Sequence, residues 1–318
     1  MRTHGRLVAT LLSLIFTFYS AAQEKPCQST LTGHLDIIPL DSLVFQNHRN
    51  LRVWLPPGYA DPANAQKKYP VLYLLDGDSA FDSCTAFAHD ELHADETLTS
   101  LITSGKIPPV IAVGIDNGSD VIGHSPDGQN IDNGAGRTRE YLPYPDTFLS
   151  PAVKEVLGNR LPDFLEQEVM PSIAAKYRIL TGPQNSALWG DSYAGAAAVY
   201  IAIRRPDLFD RLIIESPSLQ VGNGQLLRDS VSLTQLPKRI ALGIGTAEVT
   251  PDQFPNADTL NATWVHLMHV LADSLKAAAY APPQLQLTIA EGAHHATGEF
   301  GKRFAAGLLF IYAPEPVK

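Results

Sequence analysis

Six short stretches of the chain are apolar throughout, and amphipathic stretches separate most of them. The apolar stretches are residues 69–77, 110–116, 186–190, 212–215, 240–245 and 285–289. A strand covered on both faces has a continuous apolar pattern, whereas a half-exposed strand alternates. Helical patterns occupy about residues 91–104, 151–177, 194–204, 257–279 and 298–311. This order predicts an α/β fold, with a mostly parallel central sheet, helices on both faces and functional residues at the carboxyl ends of the strands.

Two parts of the chain interrupt this alternation. Residues Leu43–Gln46 and Asn50–Pro56 predict two short strands joined by a hairpin-like turn. Residues 117–145 are rich in glycine, aspartate, asparagine and proline, which predicts a long loop above the sheet. That loop is either a substrate-facing segment or a mobile surface loop, and the residues do not distinguish the two.

The first 22 residues have the pattern of a secretory signal peptide. Arg2 and Arg6 precede the uncharged run Leu7–Tyr19, and Ser20–Ala22 supplies the small side chains that a signal peptidase requires. The run has 13 residues, whereas a membrane span needs about 20. We therefore expect cleavage near Ala22, no stable membrane insertion afterwards, and export to the periplasm or the medium. No linker divides residues 23–318, which are expected to form a single domain.

Charge and cysteine content narrow the possible partners. The net charge is −9, and loss of Arg2 and Arg6 with the signal makes it two units more negative, so nucleic acid is an unsuitable partner. Cys27 and Cys84 either form a disulfide in the exported protein or remain two isolated buried thiols. Two cysteines without local spacing do not make a zinc site. No motif indicates a metal or an organic cofactor.

The stretch Ser186–Tyr200 predicts a strand that turns sharply into a helix, with Ser192 at the corner. Gly190 provides the small residue that such a turn needs, and Ala194 stands where the G-x-S-x-G pattern has its second glycine. The amide of Tyr193 would face an oxyanion formed at the serine. This is the pattern of a nucleophile elbow. The alternative is a strand-to-helix turn without a catalytic role, and the presence or absence of a matching base and acid distinguishes the two.

A serine nucleophile needs a base and an acid that orients the base, which follow in the order serine, acid, histidine in folds of this kind. Glu248 follows the predicted strand 240–245, and His294 and His295 follow the strand 285–289. Both positions lie at strand ends on the downstream side of Ser192. Asp252 and Asp258 are alternative acids from the same region.

Other histidines occur in pairs at helical spacing. His89 and His93 are four residues apart, and His266 and His269 are three apart. Such pairs can bind zinc on one helix face, but neither segment has the H-E-x-x-H arrangement. We expect both to be polar residues of surface helices, and no metal site.

With these residues, the sequence resembles the esterase D family of α/β hydrolases. This family includes enterochelin-type siderophore esterases, feruloyl and acetyl-xylan esterases and formylglutathione hydrolases. The resemblance covers nearly all of the mature chain. It rests on the elbow together with Arg52–Tyr59, Tyr69–Asp78, Val113–Ile115, Arg139–Pro143, Arg205–Phe209, Ser216–Leu219 and Glu291–Phe300.

The resemblance implies roles for particular residues. Relatives often place an aromatic residue five positions after the catalytic histidine, and Phe300 lies five after His295, so His295 is preferred to His294. A second oxyanion donor is expected in the loop of Gly77 and Asp78. Arg137 and Arg139 lie in the predicted long loop, where they either meet an anionic substrate or are solvated.

Together these observations predict an exported serine ester hydrolase of the α/β-hydrolase fold that acts on a small-molecule or saccharide ester. Ser192 would be the nucleophile, His295 the base and Glu248 the acid. A siderophore, feruloyl or acetyl-sugar ester would be the substrate. Transfer of the acyl group to another alcohol, peptide cleavage, and non-catalytic binding on a hydrolase fold are the alternatives. The sequence does not indicate the oligomeric state.

Overall fold

The structure is a computed structural model that describes residues 27–118, 121–124, 130–132, 135–146, 153–230, 236–277 and 284–314. The predicted signal peptide, residues 1–22, lies outside the described residues. No helix among the described residues is long and apolar enough to cross a membrane.

Within these described ranges, ten strands form two sheets. The main sheet has eight strands in the order β1-β2-β4-β3-β7-β8-β9-β10, and the remaining two strands pair with each other. The strands are β1 (His34–Ser42), β2 (Asn47–Leu55), β3 (Val71–Leu75), β4 (Ile111–Ile115), β5 (Val121–His124), β6 (Asn130–Asp132), β7 (Ser186–Asp191), β8 (Arg211–Glu215), β9 (Arg239–Gly245) and β10 (Gln284–Ala290).

Eight α-helices accompany the strands in the described part of the chain. They are α1 (Ala94–Thr103), α2 (Ala135–Tyr141), α3 (Leu161–Phe164), α4 (Met170–Lys176), α5 (Ser192–Arg204), α6 (Val221–Ser230), α7 (Ala257–Ala277) and α8 (Thr297–Ile311). A π-helical turn, Leu165–Val169, joins α3 to α4. From β4 to β10 the neighbours in the main sheet are parallel, whereas β1 and β2 are antiparallel additions at one edge.

The helices cover both faces of the sheet, as expected from the continuous apolar strands. On β3, Tyr73 and Leu75 belong to one hydrophobic core with residues of α3, α5 and α7. Leu72 and Leu74 belong to a second core with residues of α1 and α8. Successive side chains of a strand point to opposite faces, so the two cores lie on opposite sides of the sheet. The predicted α/β-hydrolase fold is therefore confirmed.

Four local predictions differ from the structure. Residues 43–46 form the turn between β1 and β2 instead of a strand, and the first strand lies earlier, at His34–Ser42. Residues 90–93 are not helical, and His89 ends a 3-10 turn, Phe87–His89. His89 (φ 57°) and His93 (φ 57°) both have left-handed backbone conformations, so they do not continue into one α-helix. The helix expected at 151–177 begins at Leu161, after a 3-10 turn at residues 158–160. Within the predicted loop 117–145, the described residues include β5, β6 and α2.

A disulfide joins Cys27 to Cys84 and ties the segment before β1 to the loop before α1. Nearby, the Asp82 carboxylate accepts hydrogen bonds from the Ser29 hydroxyl and the Thr30 amide. The two cysteines are 57 residues apart in sequence, and the chain-entropy model gives a bridge over such a loop about 4 kcal/mol of stabilisation.

Candidate active site

Ser192 is the first residue of α5 and directly follows the last residue of β7. Its backbone is left-handed, with φ 52°, a conformation that non-glycine residues adopt rarely and that recurs at functional sites. A Cβ on Gly190 would lie 2.5 Å from the Ala194 carbonyl oxygen, so only glycine fits there. Ala194 itself is fully buried. The turn therefore has the tight geometry of a nucleophile elbow with alanine in place of the second glycine.

Glu248 and His295 meet in the loops that follow β9 and β10. His295 Nδ1 lies 2.5 Å from Glu248 Oε2, and the His295 amide donates to the Glu248 carbonyl oxygen at 3.2 Å. The ring of Phe300 packs edge-on against the His295 ring, with centroids 5.2 Å apart. The imidazole is thus held by a carboxylate on one side and an aromatic ring on another, while a third of its side chain remains exposed, at 33%.

Two further donors stabilise the charged form of Glu248. The Ser216 hydroxyl donates to Glu248 Oε1 at 2.7 Å, and the Gly245 amide donates to the same oxygen at 2.6 Å. Burial opposes ionisation, but the hydrogen bonds from His295, Ser216 and Gly245 outweigh it and lower the pKa of Glu248. The sequence assigns no catalytic role to Ser216; its position directly after β8, at a strand end, is the signal that could have identified it.

The alternative residues for the same roles lie elsewhere. The His294 ring is exposed, and its Nδ1 lies 2.8 Å from the Ala247 carbonyl oxygen. Asp252 and Asp258 are both exposed, whereas Glu248 is buried and bonded to His295.

Two cavities open beside Ser192, and both are lined by Ser192 and His295. The larger has a volume of about 570 Å³ and includes the rings of Phe87, Trp189 and Phe300. The smaller has a volume of about 260 Å³ and includes Ser216 and Glu248. Volumes of this size suit small-molecule ligands.

The predicted oxyanion residues lie at the starts of two helical turns. Gly77 and Asp78 begin a 3-10 turn after β3, and Tyr193 is the second residue of α5. The first amides of a helix have no partner within it, so they are free to donate to an anion. A Cβ on Gly77 would lie 2.4 Å from the Gly114 carbonyl carbon of β4, which explains the glycine. The Tyr193 hydroxyl donates to Asp146 at 3.1 Å.

Arg137 and Arg139, the two arginines of the predicted loop, differ in their partners and in their distance from the cavities. Arg137 donates two hydrogen bonds to Asp76, at 2.8 and 2.7 Å, and lines the larger cavity. Its charge is therefore balanced by Asp76 before any ligand binds. Arg139 does not line either cavity; its side chain is half exposed and lies 3.6 Å from Glu155. The geometry offers no support for substrate binding by Arg139.

One of the two histidine pairs lies on a surface helix as expected, and the other does not. His266 and His269 are exposed on α7, as expected. His89 Nδ1 lies 2.9 Å from the Ser83 carbonyl oxygen, and His89 and His93 do not share a helix.

An elbow serine on a doubly wound sheet, beside a histidine and a buried acid from later strand ends, defines the α/β-hydrolase class. Residues 42–278 match the family model Esterase, described as "Putative esterase". The chain belongs to this esterase family and is a carboxylic ester hydrolase.

Several known proteins are similar to this chain in sequence or in structure. YbbA of Bacillus subtilis is 24% identical over 268 residues, which cover 83% of this chain and 93% of YbbA. The siderophore triacetylfusarinine C esterase of Aspergillus fumigatus is 26% identical over 218 residues, covering 67% of this chain and 63% of that protein. The siderophore hydrolase EstA from Aspergillus nidulans superposes with a TM-score of 0.68 at 18% identity, covering 88% of this chain and 94% of that chain. This structural similarity shows that this chain and EstA share a fold.

Proposed function

We propose that Ser192, His295 and Glu248 are the nucleophile, base and acid of this esterase. The observation that carries the proposal is the 2.5 Å contact between His295 Nδ1 and Glu248 Oε2. Both residues line the smaller cavity together with the elbow serine, and His295 also lines the larger one. A serine hydroxyl is a poor nucleophile at neutral pH, so it needs a base in reach and an acid that orients the base.

In the acylation step, Ser192 Oγ attacks the ester carbonyl carbon while His295 Nε2 takes the hydroxyl proton. The carbonyl oxygen becomes an oxyanion, and collapse of the tetrahedral intermediate expels the alcohol, which receives the proton from His295. Water then attacks the acyl-enzyme by the same route and releases the acid and free Ser192. Glu248 stays ionised, holds the imidazole tautomer and stabilises the imidazolium.

The oxyanion would be stabilised by the Tyr193 amide and by an amide of the Gly77–Asp78 turn. One such donor contributes about 3 to 4 kcal/mol to the transition state in other serine hydrolases. The left-handed conformations of Asp76 (φ 56°) and Ser192 (φ 52°) support this role, because each precedes the turn that presents the amides.

We infer that the substrate is a small-molecule ester of the siderophore class. Two of the similar proteins are named as siderophore esterase or hydrolase. The larger cavity offers aromatic walls at Phe87, Trp189 and Phe300, together with polar groups at Asp78 and Asn117. Feruloyl and acetyl-sugar esters are the comparison substrates, and the ranking of kcat/KM among the three classes tests the assignment.

We also infer that the protein is exported. The disulfide between Cys27 and Cys84 supports this location, because such bonds persist in oxidising compartments and are rare in the cytosol.

A fluorophosphonate probe tests the triad without requiring the natural substrate. We expect one covalent adduct on Ser192, located by intact mass and peptide mapping. The adduct should be lost in His295→Ala and retained in His294→Ala, which is the matched control because the two histidines are adjacent. Labelling of another serine, or equal labelling of both histidine variants, would refute the assignment.

A further inference from the structure

A second cluster of ionisable side chains lies at the start of α1, outside the cavities beside Ser192. It consists of Glu91, His93 and Glu96, whose ligand atoms all lie within 4.8 Å of one another. His93 Nδ1 is 3.2 Å from Glu91 Oε1 and 3.5 Å from Glu96 Oε1. The imidazole nitrogen therefore lies between two carboxylates.

Glu91 is the unusual member of this cluster because its side chain is only 1% exposed. Its polar neighbours are the Thr30 hydroxyl and the His93 ring. Within the described residues, neither of its carboxylate oxygens accepts a hydrogen bond of normal geometry, and Glu96 Oε2 is also buried without one. No lysine or arginine in the described ranges forms an ion pair with either glutamate. Burying a carboxylate whose hydrogen-bonding capacity is poorly used is costly, so such groups are normally well paired or coordinate a metal.

We propose that Glu91, His93 and Glu96 bind a divalent transition-metal cation, with Zn²⁺ as the best match. Carboxylate oxygen and imidazole nitrogen bind zinc at about 2.0 to 2.1 Å in a tetrahedron, so neighbouring ligand atoms lie about 3.3 Å apart. The contacts of His93 Nδ1 with Glu91 and Glu96, at 3.2 and 3.5 Å, are close to that spacing. Calcium and magnesium prefer oxygen ligands throughout, which the imidazole does not provide.

The backbone holds the cluster in place. The Leu92 amide donates to the Ser79 carbonyl oxygen at 2.9 Å, and the Ala94 amide donates to the Ala80 carbonyl oxygen at 3.0 Å. Leu92 is fully buried, so the residues on either side of it are fixed in direction. Three ligands supplied by residues 91–96 leave one tetrahedral position for water.

The proposed cation site is separate from the catalytic groups. None of its three residues lines a cavity beside Ser192. The preceding residue, Asp90, does line the larger cavity, and its carboxylate accepts hydrogen bonds from the first amides of α8. A cation bound at residues 91–96 would therefore stabilise the segment that carries Asp90.

Calorimetry on the metal-stripped mature protein, with any affinity tag removed and the disulfide intact, tests the proposal with ZnCl2. We expect saturable binding of one Zn²⁺ per chain and a higher Tm in its presence. Loss of a partner that only supports a metal ligand typically weakens affinity about 10- to 100-fold. Replacing a ligand itself, by Glu91→Gln or Glu96→Gln, should therefore weaken binding at least about tenfold.

His93→Asn is the third variant, because asparagine tolerates the left-handed backbone at this position. His34→Gln is the matched control: His34 is an exposed imidazole 2.8 Å from a carboxylate, that of Asp36. Its affinity should equal that of the unmodified protein. Folding is checked for every variant by circular dichroism, and Glu96→Gln alters the more exposed of the two glutamates.

Two results would overturn the proposal: no saturable zinc binding, or equal binding by the control and all three ligand variants. Both readouts are independent of esterase activity. Failure of the triad assignment therefore leaves this proposal standing, and the reverse also holds.

Discussion

At the scale of single residues, Ser216 shows how the site depends on a side chain that is not expected to touch the ester. Its hydroxyl donates to Glu248 Oε1 at 2.7 Å, and its backbone has φ 42°. Because a hydrogen bond to a charged group contributes about 1.5 to 3 kcal/mol, we expect Ser216→Ala to lower kcat at least about tenfold. KM should change little, since Glu248 acts through His295. Steady-state kinetics measure both.

Ser230→Ala is the control for that prediction. Ser230 is fully buried, and its hydroxyl donates to the Leu227 carbonyl oxygen at 2.7 Å. This variant tests the loss of a buried serine hydroxyl away from the site, and its kcat should be unchanged. An equal kcat in Ser216→Ala and in the control would contradict a positioning role for Ser216.

The type of a residue was predictable where crowding by its neighbours in sequence determines it. Gly190 is required because a Cβ would meet the Ala194 carbonyl oxygen, and that constraint is visible in the motif itself. The sequence shows Ser216 at a strand end but contains no motif that assigns its hydroxyl to Glu248. The pairing of Arg137 with Asp76 was not predictable either, because it depends on where α2 lies relative to the end of β3.

At the scale of elements, α8 begins with a cap supplied from a distant part of the chain. Asp90 accepts hydrogen bonds from the Thr297 amide at 2.7 Å and the Gly298 amide at 2.9 Å. Loss of a capping side chain costs about 0.5 to 2 kcal/mol. We expect Asp90→Ala to lower the free energy of unfolding by about 1 to 2 kcal/mol, measured by urea titration with an unchanged m-value.

The control for this element is Asp207→Ala, which removes an exposed acid that pairs with Arg205 at the surface. Exposed ion pairs contribute about 0 to 1 kcal/mol. If Asp90→Ala were no more destabilising than this control, the distant cap would not contribute to the stability of α8.

The strands with continuous apolar runs were the most predictable elements, because these runs end close to where β3, β4, β8, β9 and β10 end. The non-helical segment at 89–93 was not predictable from its polar spacing. Its conformation is determined by Leu92, which is bonded to the Ser79 backbone and packed in the core between α1 and α8. The turn at residues 43–46 resembles a strand in the sequence because its first three residues, Leu43, Val44 and Phe45, are all apolar.

At the scale of the whole molecule, the sheet brings several acids together at the carboxyl ends of its strands. Burial raises the pKa of Asp191 to about 6 and that of Glu215 to about 7. Glu215 is paired with Arg303 at 2.8 Å. This concentration of acids follows from strand order, since β3, β7 and β8 are neighbours in the sheet although 110 or more residues separate β3 from the others.

A pH dependence of the folding stability is expected from Asp78. Burial raises its pKa to about 8, with further contributions from Asp116 and Asp76, which Arg52 and Arg137 partly oppose. The unfolded chain has a pKa near 3.9 for aspartate, so between these values the folded protein binds more protons than the unfolded one. The stabilisation from Asp78 is therefore complete below about pH 4 and is lost as the pH rises through about 8.

Asp78→Asn removes this titration while keeping the size of the side chain. We expect the free energy of unfolding of the unmodified protein to fall relative to the variant from about pH 4 to about pH 8, and the difference to level off above that pH. Urea titrations at several pH values across that range measure the difference. Asp191 and Glu215 are present in both proteins, so their contributions cancel to the extent that they titrate independently of Asp78. A difference that stayed constant with pH would mean that Asp78 is already ionised at neutral pH, with its charge balanced by Arg52 and Arg137.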